Sequence, residues 1–400
     1  MRTPTLASLV LLASIVISFL AGSSAPTPLY AVYQSEWHFS PIMTTVIFGV
    51  YAIAVLAGLL VLGRISDHIG RRPVLLAALG AQVIAMVLFA SADSTNGLIA
   101  GRVVQGIATG GALGALGAAM LDVDRRRGTL ANSAVPGVGT GLGAILSALA
   151  VQFLPAPTHL IYLLLIAVFA VQAVGVVLMP ETVPRAPGLR AALKPELQVP
   201  AHLRRAVLTA APVLFAAWAL AGFYGSLAPA LARELSGSTS VVLGGLGLFV
   251  LAGVAVITTV VLDKLAPRTV MLTGVLTLIV GVLASLTAVE NGSATGLFLG
   301  TAVAGVGFGA GFQGGIRTVV PLARAHERSG VLSVIYVVSY LGMGVPAVLA
   351  GVLVVHGGGL IDTARDYSVF VLVLAVLALF GLLTDRGGDA AIGPAAPVDA

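Results

Sequence analysis

The chain is 400 residues long, 58% hydrophobic and 9% charged, with no cysteine and a formal net charge of +5. An ordinary soluble domain carries about 25% charged residues, so the composition excludes that class and points to a membrane protein. Without cysteine there are no disulfides or thiolate metal sites, and basic residues confined to short loops between apolar runs mark membrane orientation rather than nucleic-acid binding.

A spanning helix needs roughly 20 apolar residues. Runs of that length predict six spans: Leu6–Leu29, Ile42–Leu62, Val74–Ala90, Leu98–Leu121, Leu130–Leu154 and Leu160–Met179. A polar, proline-spaced, basic connector follows from Glu181 to Arg205, with a short surface helix expected around Leu189 to Leu197. Six more spans come after it: Val207–Leu231, Val241–Leu262, Val270–Val289, Gly296–Val320, Val331–Val355 and Val369–Leu383. The expected organisation is therefore a six-helix unit at 1–180, a linker at 181–205, a second unit at 206–384 and a disordered Gly/Pro/Ala-rich tail at 385–400. Arg2, Leu6 to Leu20 and then Ala21-Gly22-Ser23-Ser24-Ala25 also have the layout of a cleaved signal peptide. The apolar run continues through Pro26-Thr27-Pro28-Leu29-Tyr30, however, and a similar segment recurs near Ala228-Pro229-Ala230, so it reads as a retained helix.

Between the second and third spans lies a charged, glycine-marked turn, Gly63-Arg64-Ile65-Ser66-Asp67-His68-Ile69-Gly70-Arg71-Arg72-Pro73. It resembles the Gly-x-x-x-Asp-Arg-x-Gly-Arg-Arg/Lys signature of the major facilitator superfamily. Gly63, Asp67, Gly70, Arg71 and Arg72 match, and His68 stands where the family usually has arginine. A bare basic turn between two helices is the alternative. The resemblance implies an all-α fold of twelve transmembrane helices in two pseudo-symmetric halves. It also implies that the turn is a conformational latch, with Asp67 near the start of span eleven and Arg71 and Arg72 meeting Asp122 or Asp124 after span four.

With both termini inside, the inner segments hold 17 of the 21 lysines and arginines, the outer loops hold Arg233 and Arg365, and Arg102 and Arg317 remain in spans. That bias predicts the orientation. The halves also repeat. Asp67, His68 and Arg72 fall on Asp263, Lys264 and Arg268 at an offset of 196, and Gly101, Gly106 and Gly110 on Gly300, Gly305 and Gly309 at an offset of 199. Spans one, four, seven and ten are the more polar. In the superfamily these four line the central cavity.

Leu98-Ile99-Ala100-Gly101-Arg102-Val103-Val104-Gln105-Gly106 resembles the family's fourth-helix motif, Leu-x-x-x-Arg-x-x-Gln-Gly. Arg102, Gln105 and Thr109 share one helical face. A buried arginine is costly, so a hydrated or partnered cavity position is expected, against snorkelling to the outer headgroups. Gln313 and Arg317 form a second polar face in span ten, where snorkelling of Arg317 and a cavity role both stand. Trp218 lies mid-span, away from the usual interfacial level, and is read either as substrate-facing or as lipid packing. Tyr224 and Phe223 are its aromatic companions. Ser333, Tyr336 and Tyr340 make a third face in span eleven, lining the cavity or bonding between helices. Span five has Gly139 and Gly143 of the antiporter-associated motif Gly-x-x-x-Gly-Pro-x-x-Gly-Gly, but Ala144 replaces proline, so close packing against Gly244, Gly245 and Gly247 is the safer expectation.

No Gly-x-x-x-x-Gly-Lys-Ser/Thr loop and no His-Glu-x-x-His occur, and all 16 acidic residues fall in loops, at span ends or in the tail. These features exclude a self-contained ATP pump and argue against an intramembrane protease; no enzyme activity is expected. A transporter-derived sensor without transport is a rival class, although no large soluble domain accompanies the spans. The reading is a secondary carrier, leaning to the drug or small-metabolite efflux branch, with uptake of a sugar-like or other neutral solute as the alternative. A cavity whose charged candidates are arginines should accept neutral or anionic amphipathic molecules and repel cations. No cofactor is expected. Energy would come from an ion gradient, the proton being one candidate, through a loop-proximal acid such as Glu36 or an unusual coupling site, unless transport is facilitated diffusion. The expected partners are a small-molecule substrate and the lipid bilayer, with a monomeric chain in the cytoplasmic membrane.

Overall fold

The computed structural model describes residues 6–184, 186–324 and 326–384. Arg2, Arg185 and Arg386 of the orientation count, and the expected tail at 385–400, lie outside them. Among the described residues there are helices and no strands, and twelve helical stretches are long and apolar enough to cross a membrane.

The first stretch is two helices, α1 (Leu6–Ser24) and α2 (Pro26–Trp37), so it runs beyond the expected end at Leu29. It breaks at Ala25 because Pro26 and Pro28 have no N–H to give and their rings crowd the preceding turn. Next come α3 (Pro41–Leu62), the short α4 (Ser66–Ile69), α5 (Arg71–Ala90), α6 (Thr95–Val123), α7 (Arg125–Phe153) and α8 (Pro157–Leu178). Helix α7 starts before the expected Leu130 because the Asp124 carboxylate caps it, accepting from the Arg127 N–H at 2.9 Å. Among the described residues of the linker before α10, α9 (Leu189–Ala192) and a 3-10 turn at Ala201–Leu203 are helical, less than expected. Pro195 and Pro200 interrupt the remainder.

The second set comprises α10 (Arg204–Ser226), α11 (Ala228–Ser236), α12 (Val241–Val261), α13 (Pro267–Glu290), α14 (Ala294–Val319), α15 (Arg328–His356) and α16 (Leu360–Thr384). Helix α16 begins well before the expected Val369. Arg365 bonds Asp362 one turn away at 2.7 Å and pairs with Glu290 of α13, so its polar first turns are neutralised and remain helical.

The two sets pack in matching ways. The pairs α1–α7, α3–α6, α5–α6 and α5–α8 recur as α10–α15, α12–α14, α13–α14 and α13–α16. The repeated glycines explain two of them. Gly106 and Gly110 let α6 lie on the α3 backbone near Tyr51 and Val55, and Gly305 and Gly309 do the same for α14 on α12 near Leu251 and Ala255. The first apolar core draws only on residues 9–179, whereas two others draw on residues from 203 onward, apart from Ala144.

Between the sets, α3 packs on α15 and α7 on α12, which are again counterparts. The expected close packing of α7 on α12 is present, with Gly137 and Gly141 lying against Phe249, Ala252 and Val256, but the glycines of the two helices do not face one another. Gly245 meets Ala144 and Ala148, Gly244 meets Pro229, Gly247 meets Tyr224, and Gly139 and Gly143 serve the α1 crossing instead. The end of the bundle that carries α4 is the hinge end, and at the remote end the two sets are closed on each other. Gly344 abuts Ala52, Gly351 abuts Thr45, Phe48 covers Gly225, and Gln152 accepts from the Val241 N–H at 3.1 Å.

Candidate functional site

Most of the residues singled out by sequence gather in three places. At the hinge end, Gly63 and Gly114 let α3 and α6 approach, since a Cβ on Gly114 would sit 2.5 Å from the Gly63 carbonyl. Gly70 has φ +100, a left-handed conformation that suits glycine, and the Glu181 carboxylate fills the space where a side chain would lie. Glu181 accepts from the Arg71 and Arg72 backbone N–H groups at 2.8 and 3.0 Å, placing an anion on the positive N-terminus of α5. Arg71, only 6% exposed, donates to Ser66 Oγ at 2.7 Å, pairs with Asp67, and reaches Asp122 Oδ2 at 3.3 Å.

Two expectations for this latch need correction. Asp67 meets Arg71 of its own segment, not the start of α15, where Gly330 lies against linker residue Gln198. Arg72 donates to the Val176 carbonyl at 3.1 Å and to that of Val177, while Asp124 is occupied as the α7 cap. The linker is strapped to the turn. His68 Nδ1 lies 2.9 Å from the Pro187 carbonyl, Ala186 N–H donates to the His68 carbonyl at 2.9 Å, and Arg64 pairs with Glu196. Sequence reasoning missed Glu181 and Glu196, because nothing local marks a carboxylate as the partner of a turn more than a hundred residues away, and Ser66, which meets Arg71 only through the fold of the turn.

The second place is the break between α1 and α2. Arg102 of α6 is 0% exposed, so it does not snorkel. Its Nη1 donates to the Ser23 carbonyl and to Gln105 Oε1, both at 2.7 Å, and its Nε and Nη2 to Tyr30 Oη at 3.0 and 2.6 Å. The guanidinium carbon lies 5.1 to 5.8 Å from the ring centres of Tyr51, Tyr30 and Phe89. Gln105 Nε2 donates at 2.9 Å to the Gly22 carbonyl, the acceptor that Pro26 cannot serve. Thr109 accepts from Gln82 Nε2 at 2.8 Å, and Ser147 Oγ donates to the Ala25 carbonyl at 2.5 Å. The predicted face Arg102, Gln105 and Thr109 is therefore one buried network that caps the proline break. Every partner of Arg102 named here is neutral. Among the described residues, carboxylates sit near helix ends or in connecting segments.

The second set has the corresponding break at Leu227. Pro229 has no N–H for the Gly225 carbonyl, which accepts instead from Thr27 Oγ1 at 3.2 Å. One proline break thus caps the other across the two sets.

The third place surrounds Trp218. Its ring centre is 5.0 Å from that of Tyr340, 5.5 Å from Phe312 and 6.2 Å from Phe308. Trp218, Tyr336 and Tyr340 join Phe48, Tyr51 and Val55 of α3 in one cluster, so this wall spans both sets and adjoins Arg102 through Tyr51. Tyr224 and Phe223 are not brought to it. Tyr224 bonds Thr301, and Phe223 lies against Tyr367, inside the second set. Gln313 Nε2 donates to the Thr259 carbonyl at 3.1 Å, and Arg317 Nη2 to the Leu265 carbonyl at 2.9 Å, tying α14 to α12 and to the segment after it.

The family model of the Major Facilitator Superfamily matches residues 11–288 of this chain. A relative from Klebsiella pneumoniae subsp. pneumoniae, "Multidrug resistance protein MdtL", is 28% identical over 339 residues, covering 77% of this chain and 82% of its own. Two solved structures are similar in fold. A mutant of the nucleoside transporter NupG has a TM-score of 0.71 at 13% identity, covering 95% of this chain and 99% of its own. The human organic anion transporter MFSD10 (TETRAN) has a TM-score of 0.67 at 19% identity, covering 95% and 100%.

Proposed function

Because this chain belongs to the major facilitator superfamily and is an integral membrane transporter of that family, we propose that it exports a small neutral or anionic amphipathic molecule by alternating access. The first six spans and the last six would rock against each other about the wall formed by Tyr51, Tyr340 and Trp218. The excess of basic residues at the hinge end supports a cytoplasmic placement of that end and of both termini. Closure of the remote end then corresponds to an inward-facing state. The name of the multidrug-resistance relative supports the outward direction. The chain acts as a monomer in the cytoplasmic membrane, with an ion gradient, the proton first to be tested, as its energy source.

The observation that carries the substrate class is Arg102, a fully buried cation whose partners are one backbone carbonyl, a phenol, an amide and aromatic rings. At an effective dielectric near 20, a second cation about 8 Å away is repelled by roughly 2 kcal/mol, about thirty-fold in affinity. An anion gains by the same sign. Everted membrane vesicles from cells making the protein, given matched cationic, neutral and anionic aromatic compounds, test this. Uptake of the neutral and anionic members above vesicles from cells lacking the protein is expected. Uptake of the cation alone would overturn the substrate class, and uptake of none the carrier reading.

A further inference from the structure

We propose that the cluster around Trp218 is a ring-binding subsite: it takes a flat aromatic ring of the substrate and gives the indole N–H to an oxygen acceptor, such as a carboxylate, borne by that ring. This rests on the carrier reading above and names the chemistry of its cargo.

The indole nitrogen is the decisive atom. Trp218 Nε1 is buried and has no hydrogen-bond partner, although its residue remains partly exposed. A buried indole N–H normally finds an acceptor, and leaving one unmade costs roughly 1–3 kcal/mol. Tryptophan used only for packing in a bundle would be expected to meet a carbonyl or to sit at the headgroup level. Trp218 does neither, being well inside α10.

No ring named here lies flat on the indole. Phe308, Phe312 and Tyr340 approach at interplanar angles of 60°, 69° and 48°, so none of these three stacks parallel on the indole. A ring that bears the acceptor would lie beside the edge of the indole, where its carboxylate can meet the N–H in line. Tyr340 and Tyr51 carry the wall across to the first set, where the Arg102 guanidinium carbon lies 5.1 Å from the Tyr51 ring centre. The ring subsite and the unneutralised cation therefore share one wall, which favours an aromatic acid over an aromatic cation of the same size. Residues of both sets contribute, so occupancy of the subsite depends on how the two sets sit.

The test uses the chain's own fluorophores. Trp37 and Trp218 are its two tryptophans, so Trp37→Phe leaves Trp218 as the single emitter in the full-length protein in nanodiscs. The probe is 4-nitrobenzoate, an aromatic acid and a contact quencher, compared with hexanoate and with 4-nitrobenzyltrimethylammonium. Saturable quenching of Trp218 by 4-nitrobenzoate is expected, with at least about tenfold weaker action of the cation. Hexanoate should compete poorly. In Trp218→Phe, which retains a ring, quenching of Trp37 should be only linear in concentration, and radiolabelled 4-nitrobenzoate should bind about five-fold more weakly through loss of the N–H. An unchanged melting temperature shows that this variant is folded. No saturable quenching of Trp218, or unchanged binding by Trp218→Phe, overturns the subsite. If vesicles carry aromatic acids while Trp218 stays silent, the subsite is wrong and the carrier reading stands. Saturable quenching of Trp218 without transport of any compound keeps the subsite and removes the carrier reading.

Discussion

Thr27→Val is the substitution that separates the two conformational states most cleanly. The Thr27 hydroxyl is buried and donates at 3.2 Å to the Gly225 carbonyl, which Pro229 leaves without its helical partner. Valine keeps the shape and removes the donor. The closed remote end then holds an unsatisfied carbonyl, at a cost of about 1–2 kcal/mol, or roughly five- to thirty-fold in an equilibrium. Only the state closed at the remote end bears that cost, so the population shifts towards the state open there. Ser147→Ala is the control: it removes the bond to the Ala25 carbonyl, within the first set, and so weakens both states together. The chain has no cysteine, and Ser35 and Ser236 are exposed at the remote end. Ser35→Cys with Ser236→Cys therefore admits a spin-label pair for distance measurement. Thr27→Val should enlarge the long-distance population and Ser147→Ala should not. Identical distributions in Thr27→Val and the parent, or an equal shift in Ser147→Ala, would refute the reasoning.

Arg102→Ala deprives the Ser23 carbonyl, Tyr30 and Gln105 of their shared donor, so melting temperature and transport should both fall. Arg102→Lys should restore little of either, because an ammonium lacks the planar fork that reaches all three; full recovery with lysine would contradict this. Asp67→Asn removes one of the two anions on Arg71 and should slow turnover while membrane insertion remains normal, as read by initial transport rates per inserted protein. Glu181→Gln removes the carboxylate from the N-terminus of α5. It should lower stability by less than about 1 kcal/mol, and a larger fall in the melting transition would assign Glu181 more than a capping role.

The spans were legible because a bilayer demands long apolar runs, and their number emerged directly from the sequence. Their ends were not, because polar residues stay helical wherever another group satisfies them: Asp124 caps α7, and Glu290 with Asp362 neutralises Arg365 in α16. The face of Arg102, Gln105 and Thr109 followed from helical spacing alone. Its partners did not: the Ser23 carbonyl, the Tyr30 hydroxyl and Gln82 lie on other helices, and although Pro26 shows that the Gly22 carbonyl lacks its N–H, it does not show that Gln105 replaces it. The Arg71 latch was half legible. Asp122 was anticipated, but Glu181 and Ser66 become partners only through the path of the linker and the fold of the turn. Trp218 stood out by its depth in the span, whereas Phe308, Phe312 and Tyr340 lie about a hundred residues further along.

Counterflow in proteoliposomes of the purified protein tests the central claim most directly, because nothing else is present to move the solute. Vesicles preloaded with unlabelled 4-nitrobenzoate, an aromatic alcohol or a quaternary ammonium dye are diluted into the matching labelled compound. The account predicts protein-dependent, saturable counterflow of the acid and the alcohol, abolished in Arg102→Ala, with no counterflow of the dye. Saturable counterflow of the dye, with the acid excluded, would contradict it.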